Sequence, residues 1–154
     1  MITEVEMLAL SYELARVKSE QNIPAALAIY HPDIELDSPS FASVSRGSAE
    51  VERSLHIFFS LFPDYRVTLK QHAINGTVML ASGEVQITPH ILHHPCPQIS
   101  VPVFLELHFK EQRIHKETFF LDMGLICQKA GILPEQLTAA AANHAHSLTP
   151  QQDP

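Results

Sequence analysis

Apolar residues at every second position, in the second half of the chain, are the feature that most limits its fold. From Val101 to Phe109 every odd-numbered residue is apolar, and Phe104, Glu106 and His108 lie between them. Such alternation is typical of a strand with one face on a core. Similar patterns predict strands at 66–72, 77–88 and 114–122, which would make an antiparallel meander around a Pro-rich loop at 89–100.

The first half of the chain has helical periodicity instead. Apolar residues recur at helical spacing over 3–20. Asn22 is placed to cap a second, short helix, and the spacing predicts a third helix over 47–62 with Ser48 as its cap. A short alternating strand at 33–38 lies between the second and third helices.

Helices that precede a meander indicate an α+β fold, with the helices packed on one face of a curved antiparallel sheet. Closed on one side by helices, this sheet would form a cone-shaped α+β barrel whose cavity suits a small hydrophobic ligand. Residues 1–132 are predicted to form this single domain. Residues 133–154 are predicted to be a C-terminal segment, with a short helix at 135–143 and then a tail.

Composition argues against several classes of function. Hydrophobic residues make up 45% of the 154 residues, enough for a buried core. The net charge of −7 argues against a nucleic-acid partner, which needs a basic surface, and against docking on an anionic membrane. No apolar run approaches the ~20 residues of a membrane span. The two cysteines, Cys96 and Cys127, and the acidic N-terminal stretch favour a cytoplasmic protein with reduced thiols.

Four segments together resemble a known family. They are LAIYHPDIELDSP, RGSAEVERSLHIFFSLFPDYRV, VFLELHFKEQRI and FFLDMGLICQKAGI. In order and spacing, over about residues 3–132, they resemble a SnoaL-like domain. This is the polyketide-cyclase-like branch of the nuclear transport factor 2-like and ketosteroid isomerase-like superfamily. The resemblance implies a hydrophobic pocket and a cyclase or isomerase that acts on a small apolar carbonyl compound without a cofactor.

The positions that carry chemistry in this superfamily hold other residues here. The resemblance places the base of ketosteroid isomerase at Ser38, its tyrosine at Leu14 and its protonated aspartate at Leu105. In the SnoaL-like pattern the histidine falls at about Leu105, and the aspartate falls at Phe119 or Thr118. Steroid isomerisation is therefore not expected. The alternative function is a non-catalytic ligand-binding or dimerisation module that has lost the family's catalytic residues.

The remaining candidates for acid–base chemistry are Asp122, His108 and Tyr30. Asp122 follows an apolar stretch, where it is either an acid in a dry pocket or the cap of a short helix at 123–130. His108 or Tyr30 would assist it. A lone histidine on a sheet is more often a packed or surface residue, whereas Tyr30 ends an apolar helix and could donate to a ligand carbonyl.

The predicted ligand pocket consists of positions that correspond to the family's pocket or share its face. They are Leu14, Tyr30, Leu36, Ser38, Leu55, Phe58, Phe62, Leu105 and Phe119.

Two further predictions concern partners. Phe104 and Phe120 would lie on the outer face of the sheet, and a homodimer would cover them. The loop at 89–100 contains four residues of types that bind zinc, namely His90, His93, His94 and Cys96. Because the loop offers no second well-spaced ligand pair, it is predicted to be a solvated His-rich loop, and no bound metal is expected.

Overall fold

The computed structural model describes residues 1–148, so the predicted tail at 149–154 lies outside the described residues. The first half comprises helices α1 (Glu4–Ser19) and α2 (Ile23–Ile29), strand β1 (Tyr30–Ser38), a short 3-10 helix (Pro39–Phe41), strand β2 (Ser43–Arg46) and helix α3 (Gly47–Leu61). The second half comprises strands β3 (Arg66–Asn75), β4 (Val78–Ile87), β5 (Ile99–Lys110) and β6 (Arg113–Leu121), then helices α4 (Met123–Ala130) and α5 (Pro134–Ser147). In residues 1–148 no helix is long and apolar enough to cross a membrane.

The strands of the described part form one mixed sheet in the order β2-β1-β6-β5-β4-β3. Strands β3 to β6 are the antiparallel meander that the alternation predicts. Strand β1 pairs antiparallel with β2 and parallel with β6, a pairing that the sequence analysis did not predict. The α+β class is confirmed. Because β2 and β3 are edges, the sheet is open, and its predicted cone shape stays a prediction.

The helix starts were predicted with mixed success. Thr3 and Glu6 form a reciprocal capping box at α1, as their spacing favours. Ser48 does not cap α3. That helix begins at Gly47, two residues earlier than a cap at Ser48 would place it, and Arg46 is at the cap position. The Glu50 carboxylate accepts from the backbone amide of Arg46 at 2.7 Å.

The core lies between the helices and the inner face of the meander. In β5 the odd-numbered residues Val101, Val103 and Leu107 are buried, whereas Phe104 is 58% exposed on the outer face. The same alternation continues in β6, where Glu117, Phe119 and Leu121 are buried. The inner face of β6 therefore carries a carboxylate into the core.

One glycine is required by a close approach between strands. A Cβ atom on Gly83 of β4 would lie 1.9 Å from the carbonyl oxygen of Thr68 in β3. The approach occurs beside a register shift in β3, between Leu69 and Gln71. Since both atoms belong to hydrogen-bonded strands, neither can move away without disturbing the sheet.

We expect Gly83→Ala to lower the free energy of unfolding by about 3 kcal/mol, the upper end of the usual cost of overpacking. Urea denaturation of the variant would measure the change. Gly124→Ala is the matched control, because its Cβ would meet nothing closer than a 3.5 Å contact with Asp122. If the two variants were equally stable, the close approach would not constrain the sheet.

Candidate functional site

An apolar cavity of about 300 Å³ lies between α3, α5 and the inner face of the sheet, at the lower end of the usual size of ligand pockets. Of the residues predicted for the pocket, Leu36, Ser38, Leu55, Phe58 and Phe119 line it. The other lining residues are Lys18, Phe41, Ser43, Ser54, Ile57, Phe59, Leu61, Tyr65, Ala141, Ala142 and Ala145.

Aromatic rings form one side of this cavity, and Phe58 is their centre. Its ring centroid lies 5.1 Å from that of Phe62, 5.1 Å from that of Tyr65 and 5.6 Å from that of Phe119, all in edge-to-face contact. Phe41 completes the group at 6.1 Å. Phe62 is fully buried and is not a lining residue, so it supports the ring cluster from behind.

A second, smaller cavity of about 20 Å³ shares Lys18, Tyr65 and Phe119 with the first. Its lining also includes Leu14, Leu105 and Glu117. The two cavities therefore adjoin at Lys18, Tyr65 and Phe119, and Glu117 lines only the smaller one.

Lys18, Glu117 and Tyr30 form a buried polar cluster at this junction, with side chains from α1, β6 and β1. Lys18 Nζ donates to both carboxylate oxygens of Glu117 at 2.8 Å, and the Tyr30 hydroxyl donates to Glu117 Oε1 at 2.5 Å. Lys18 is 8% exposed, Glu117 2% and Tyr30 1%. Burying an ion pair costs free energy that packing alone would not demand, so its presence beside a cavity marks a candidate functional site.

Both tyrosines near the pair are held in the protonated form. Burial first, and then the charge of Glu117, raise the pKa of Tyr30 well above its usual range. The same two causes raise the pKa of Tyr65. The Tyr30 hydroxyl donates its hydrogen bond to Glu117, whereas Tyr65 lines both cavities and can present its hydroxyl to a ligand.

The cluster can polarise a carbonyl group. An ammonium group carries three hydrogens, and Lys18 Nζ lies 2.8 Å from both carboxylate oxygens of Glu117. At least one hydrogen therefore remains for a further acceptor, and Lys18 lines the cavity. A cationic donor in an apolar site stabilises negative charge that develops on a ligand oxygen, and a carboxylate within reach can take up a proton.

The structure does not bring Asp122 to the cavity. Its side chain is exposed and accepts from the backbone amide of Leu125 at 2.9 Å, so it caps α4. This is the second of the two interpretations of Asp122 that the sequence allows. Its proposed acid role therefore lacks a cavity to act in.

His108 lies on the outer face of the sheet, away from the cavity. Its Nε2 atom lies 2.5 Å from Glu106 Oε1, and its ring packs against that of His115 at 6.0 Å. The sheet separates this pair from the inner face on which Glu117 and Tyr30 meet. Of the three predicted catalytic residues, only Tyr30 joins the interior cluster.

The His-rich loop lies between β4 and β5. Within residues 1–148 no three His, Cys, Asp or Glu side chains are placed to hold a metal ion together. The ring of His90 instead packs near His144 of α5, at 5.9 Å. That the purified protein carries no stoichiometric metal stays a prediction.

A family model decides the assignment. The SnoaL-like domain model matches residues 13–116, which is more than half of the chain. This chain belongs to the SnoaL-like domain family. No curated protein sequence matches it significantly.

Solved structures share the fold of this SnoaL-like domain at low sequence identity. A candidate SnoaL-like polyketide cyclase from a Jannaschia species has a TM-score of 0.73 at 12% identity, over 85% of this chain and 95% of that one. A nuclear transport factor 2-like protein of unknown function from Burkholderia pseudomallei has a TM-score of 0.71 at 13% identity, over 81% and 97%. A ketosteroid isomerase-like protein from Catenulispora acidiphila, in complex with trimethylamine, has a TM-score of 0.71 at 13% identity, over 82% and 95%.

Sequence reasoning missed Lys18 and Glu117 in this SnoaL-like domain. Glu117 is two residues before Phe119 and so shares its face of β6 by the two-residue period. Lys18 is four residues after Leu14, one helical turn along the same face of α1. Both signals were present next to positions already assigned to the pocket. Neither residue stands at a position where the family carries an acid or a base, and neither was among the candidates Asp122, His108 and Tyr30.

Proposed function

We propose that this SnoaL-like domain binds a small apolar carbonyl compound and acts on it as a cyclase or isomerase, by acid–base chemistry without a cofactor. The observation that carries the proposal is the Lys18–Glu117 ion pair, buried where an apolar cavity ends. A purely structural pocket would gain nothing from such a pair, because two apolar residues of similar size fill the space at no desolvation cost.

The chemistry begins with the carbonyl oxygen of the ligand. This oxygen accepts the free hydrogen of Lys18, which stabilises the negative charge of an enolate. Glu117 Oε1 is occupied by Lys18 and Tyr30, whereas Oε2 accepts from Lys18 alone. Oε2 is therefore the oxygen that would take the proton from the carbon next to the carbonyl. Return of that proton to another carbon is an isomerisation. Alternatively, the enolate carbon attacks a second carbonyl and closes a ring, and the resulting alkoxide oxygen takes the proton back from Glu117.

The second candidate function is binding without turnover. The observation that favours it is the set of three hydrogen bonds on Glu117, because they occupy the carboxylate oxygens that would have to accept a proton from the ligand. Both candidates need the same ligand geometry. They differ in whether the protons next to a bound carbonyl exchange faster.

Binding in the cavity can be tested with 6-propionyl-2-dimethylaminonaphthalene, a neutral aromatic ketone whose fluorescence reports an apolar environment. We expect the protein to raise and blue-shift its emission. Ala141→Phe should abolish this response, because Ala141 of α5 lines the cavity. Ala139→Phe is the matched control on the exposed side of the same helix. If both variants bound the ketone like the unmodified protein, the cavity would not be the ligand site.

We also propose a homodimer formed through the outer face of the sheet. Phe104 is 58% and Phe120 46% exposed there, and Leu80 lies beside them in a shallow apolar groove. An exposed apolar patch on a sheet is commonly covered by a partner. The cytoplasmic location, which the two free cysteines favour, is likewise a proposal.

Light scattering should give twice the 17.2 kDa mass of the chain at micromolar concentration. Phe104→Lys should convert the protein to a monomer, because it would bury two lysines in the interface. Val5→Lys, at an exposed apolar position of α1, should leave the mass unchanged. A mass of one chain for the unmodified protein would refute the dimer.

A further inference from the structure

We propose that the cavity selects neutral aromatic carbonyl compounds over carboxylates, and that Glu117 sets this selectivity. The inference deepens the proposed function and rests on it. It concerns the charge of the ligand group that lies next to Lys18, the lining residue whose ammonium group pairs with Glu117.

The charge balance beside Lys18 carries the argument. Lys18 is the single charged group among the residues that line the larger cavity in the described part of the chain. Its charge is already balanced by Glu117, whose two oxygens both lie 2.8 Å from Nζ. The pair is therefore a neutral unit that keeps at least one donor hydrogen for a further acceptor. A ketone oxygen accepts that hydrogen and adds no charge.

A carboxylate in the same place would bring an unbalanced negative charge. Within residues 1–148, the remaining lining residues of the larger cavity are apolar residues, serines and Tyr65, so no second cation faces the ligand. The anion would also lie close to Glu117, whose like charge repels it. Because the ion pair is buried, with Lys18 8% and Glu117 2% exposed, water screens the repulsion beside it less than at the surface, and an anion placed there loses part of its hydration.

The aromatic preference follows from the wall of the cavity. The rings of Phe41, Phe58 and Phe119 form one connected edge-to-face group, and Phe58 and Phe119 lie 5.6 Å apart. Such rings offer edges and faces to a flat ligand, and aromatic pairs gain free energy beyond their buried area. The hydroxyl of Tyr65 adds a neutral donor where the two cavities adjoin.

A matched pair of probes tests the inference. 6-Acetyl-2-dimethylaminonaphthalene and 6-(dimethylamino)-2-naphthoate have the same ring system and nearly the same size, and they differ in the charge of the group meant for Lys18. Fluorescence titration of the unmodified protein should give a dissociation constant at least tenfold lower for the ketone. Glu117→Gln keeps the size of the side chain and an acceptor for Tyr30, but leaves Lys18 unbalanced. This variant should prefer the naphthoate instead.

The controls separate failure of this inference from failure of the proposed function. The double variant Lys18→Met/Glu117→Gln has no charge at the site, so it should not show the preference of Glu117→Gln for the naphthoate. Equal affinity of the unmodified protein for both probes would overturn the selectivity while leaving the proposed ligand site intact. If neither probe bound, or if Ala141→Phe did not block the binding, the proposed function itself would be overturned. If Glu117→Gln still preferred the ketone, Glu117 would not set the selectivity. The comparison in the unmodified protein tests the selectivity itself even if a variant fails to fold.

Discussion

Lys18→Met should lower the free energy of unfolding by about 3–5 kcal/mol, the usual cost of breaking a buried ion pair by removing one partner. The variant leaves the carboxylate of Glu117, which is 2% exposed, without its cation. The Tyr30 hydroxyl alone cannot compensate this charge. Urea denaturation at neutral pH measures the loss, and circular dichroism establishes that the variant is folded without denaturant.

Two comparisons show whether the unpaired buried charge causes this loss of stability. Lys18→Met/Glu117→Gln removes both charges and should recover most of the loss, because the double change leaves no unpaired ion. Lys70→Met breaks an ion pair of nearly the same length, 2.9 Å to Glu84, but at the surface. That variant should melt at almost the temperature of the unmodified protein. Equal losses for Lys18→Met and Lys70→Met would contradict a special role for burial.

Much of the fold was predictable because local periodicity and tertiary structure agree. The alternation in 101–109 assigns the faces of β5 correctly, and Asn22 caps α2 as its position suggests, accepting from the amide of Ala25 at 3.1 Å. Strand β2, at 43–46, was not predicted, since four residues are too few for a period to be visible. The parallel pairing of β1 with β6 was also missed, because it joins segments about 80 residues apart that share no local signal.

The apolar residues that line the cavity were predictable from the sequence, but the charged pair beside it was not. Leu36, Leu55 and Phe58 line the cavity as predicted. Their positions could be predicted because the spacing of apolar residues alone indicates which face of a helix or strand is buried. The pairing of Lys18 with Glu117 depends on how α1 packs across the sheet, 99 residues apart in sequence. A charged residue on an otherwise apolar face indicates a buried ion pair only if a residue of opposite charge lies on the face that packs against it.

Exchange of protons next to a bound carbonyl separates an enzyme from a binding protein. In D₂O, we expect the protein to accelerate deuteration of the CH₂ group of 6-propionyl-2-dimethylaminonaphthalene by about 10²–10⁴-fold over buffer, the typical contribution of general acid–base catalysis. Glu117 would remove the proton while Lys18 stabilises the enolate oxygen. Proton NMR of the propionyl group follows the exchange directly and needs no knowledge of the natural substrate.

Variants assign the exchange to individual groups. Glu117→Gln should reduce the rate to that of buffer while the ketone still binds, because the amide cannot accept the proton as a carboxylate does. Asp122→Asn should leave the rate unchanged and lower only the melting temperature, since Asp122 caps α4 and is exposed. If the ketone bound and its protons exchanged no faster than in buffer, the domain would be a ligand-binding protein. If Asp122→Asn abolished the exchange and Glu117→Gln did not, the acid–base role would belong to Asp122.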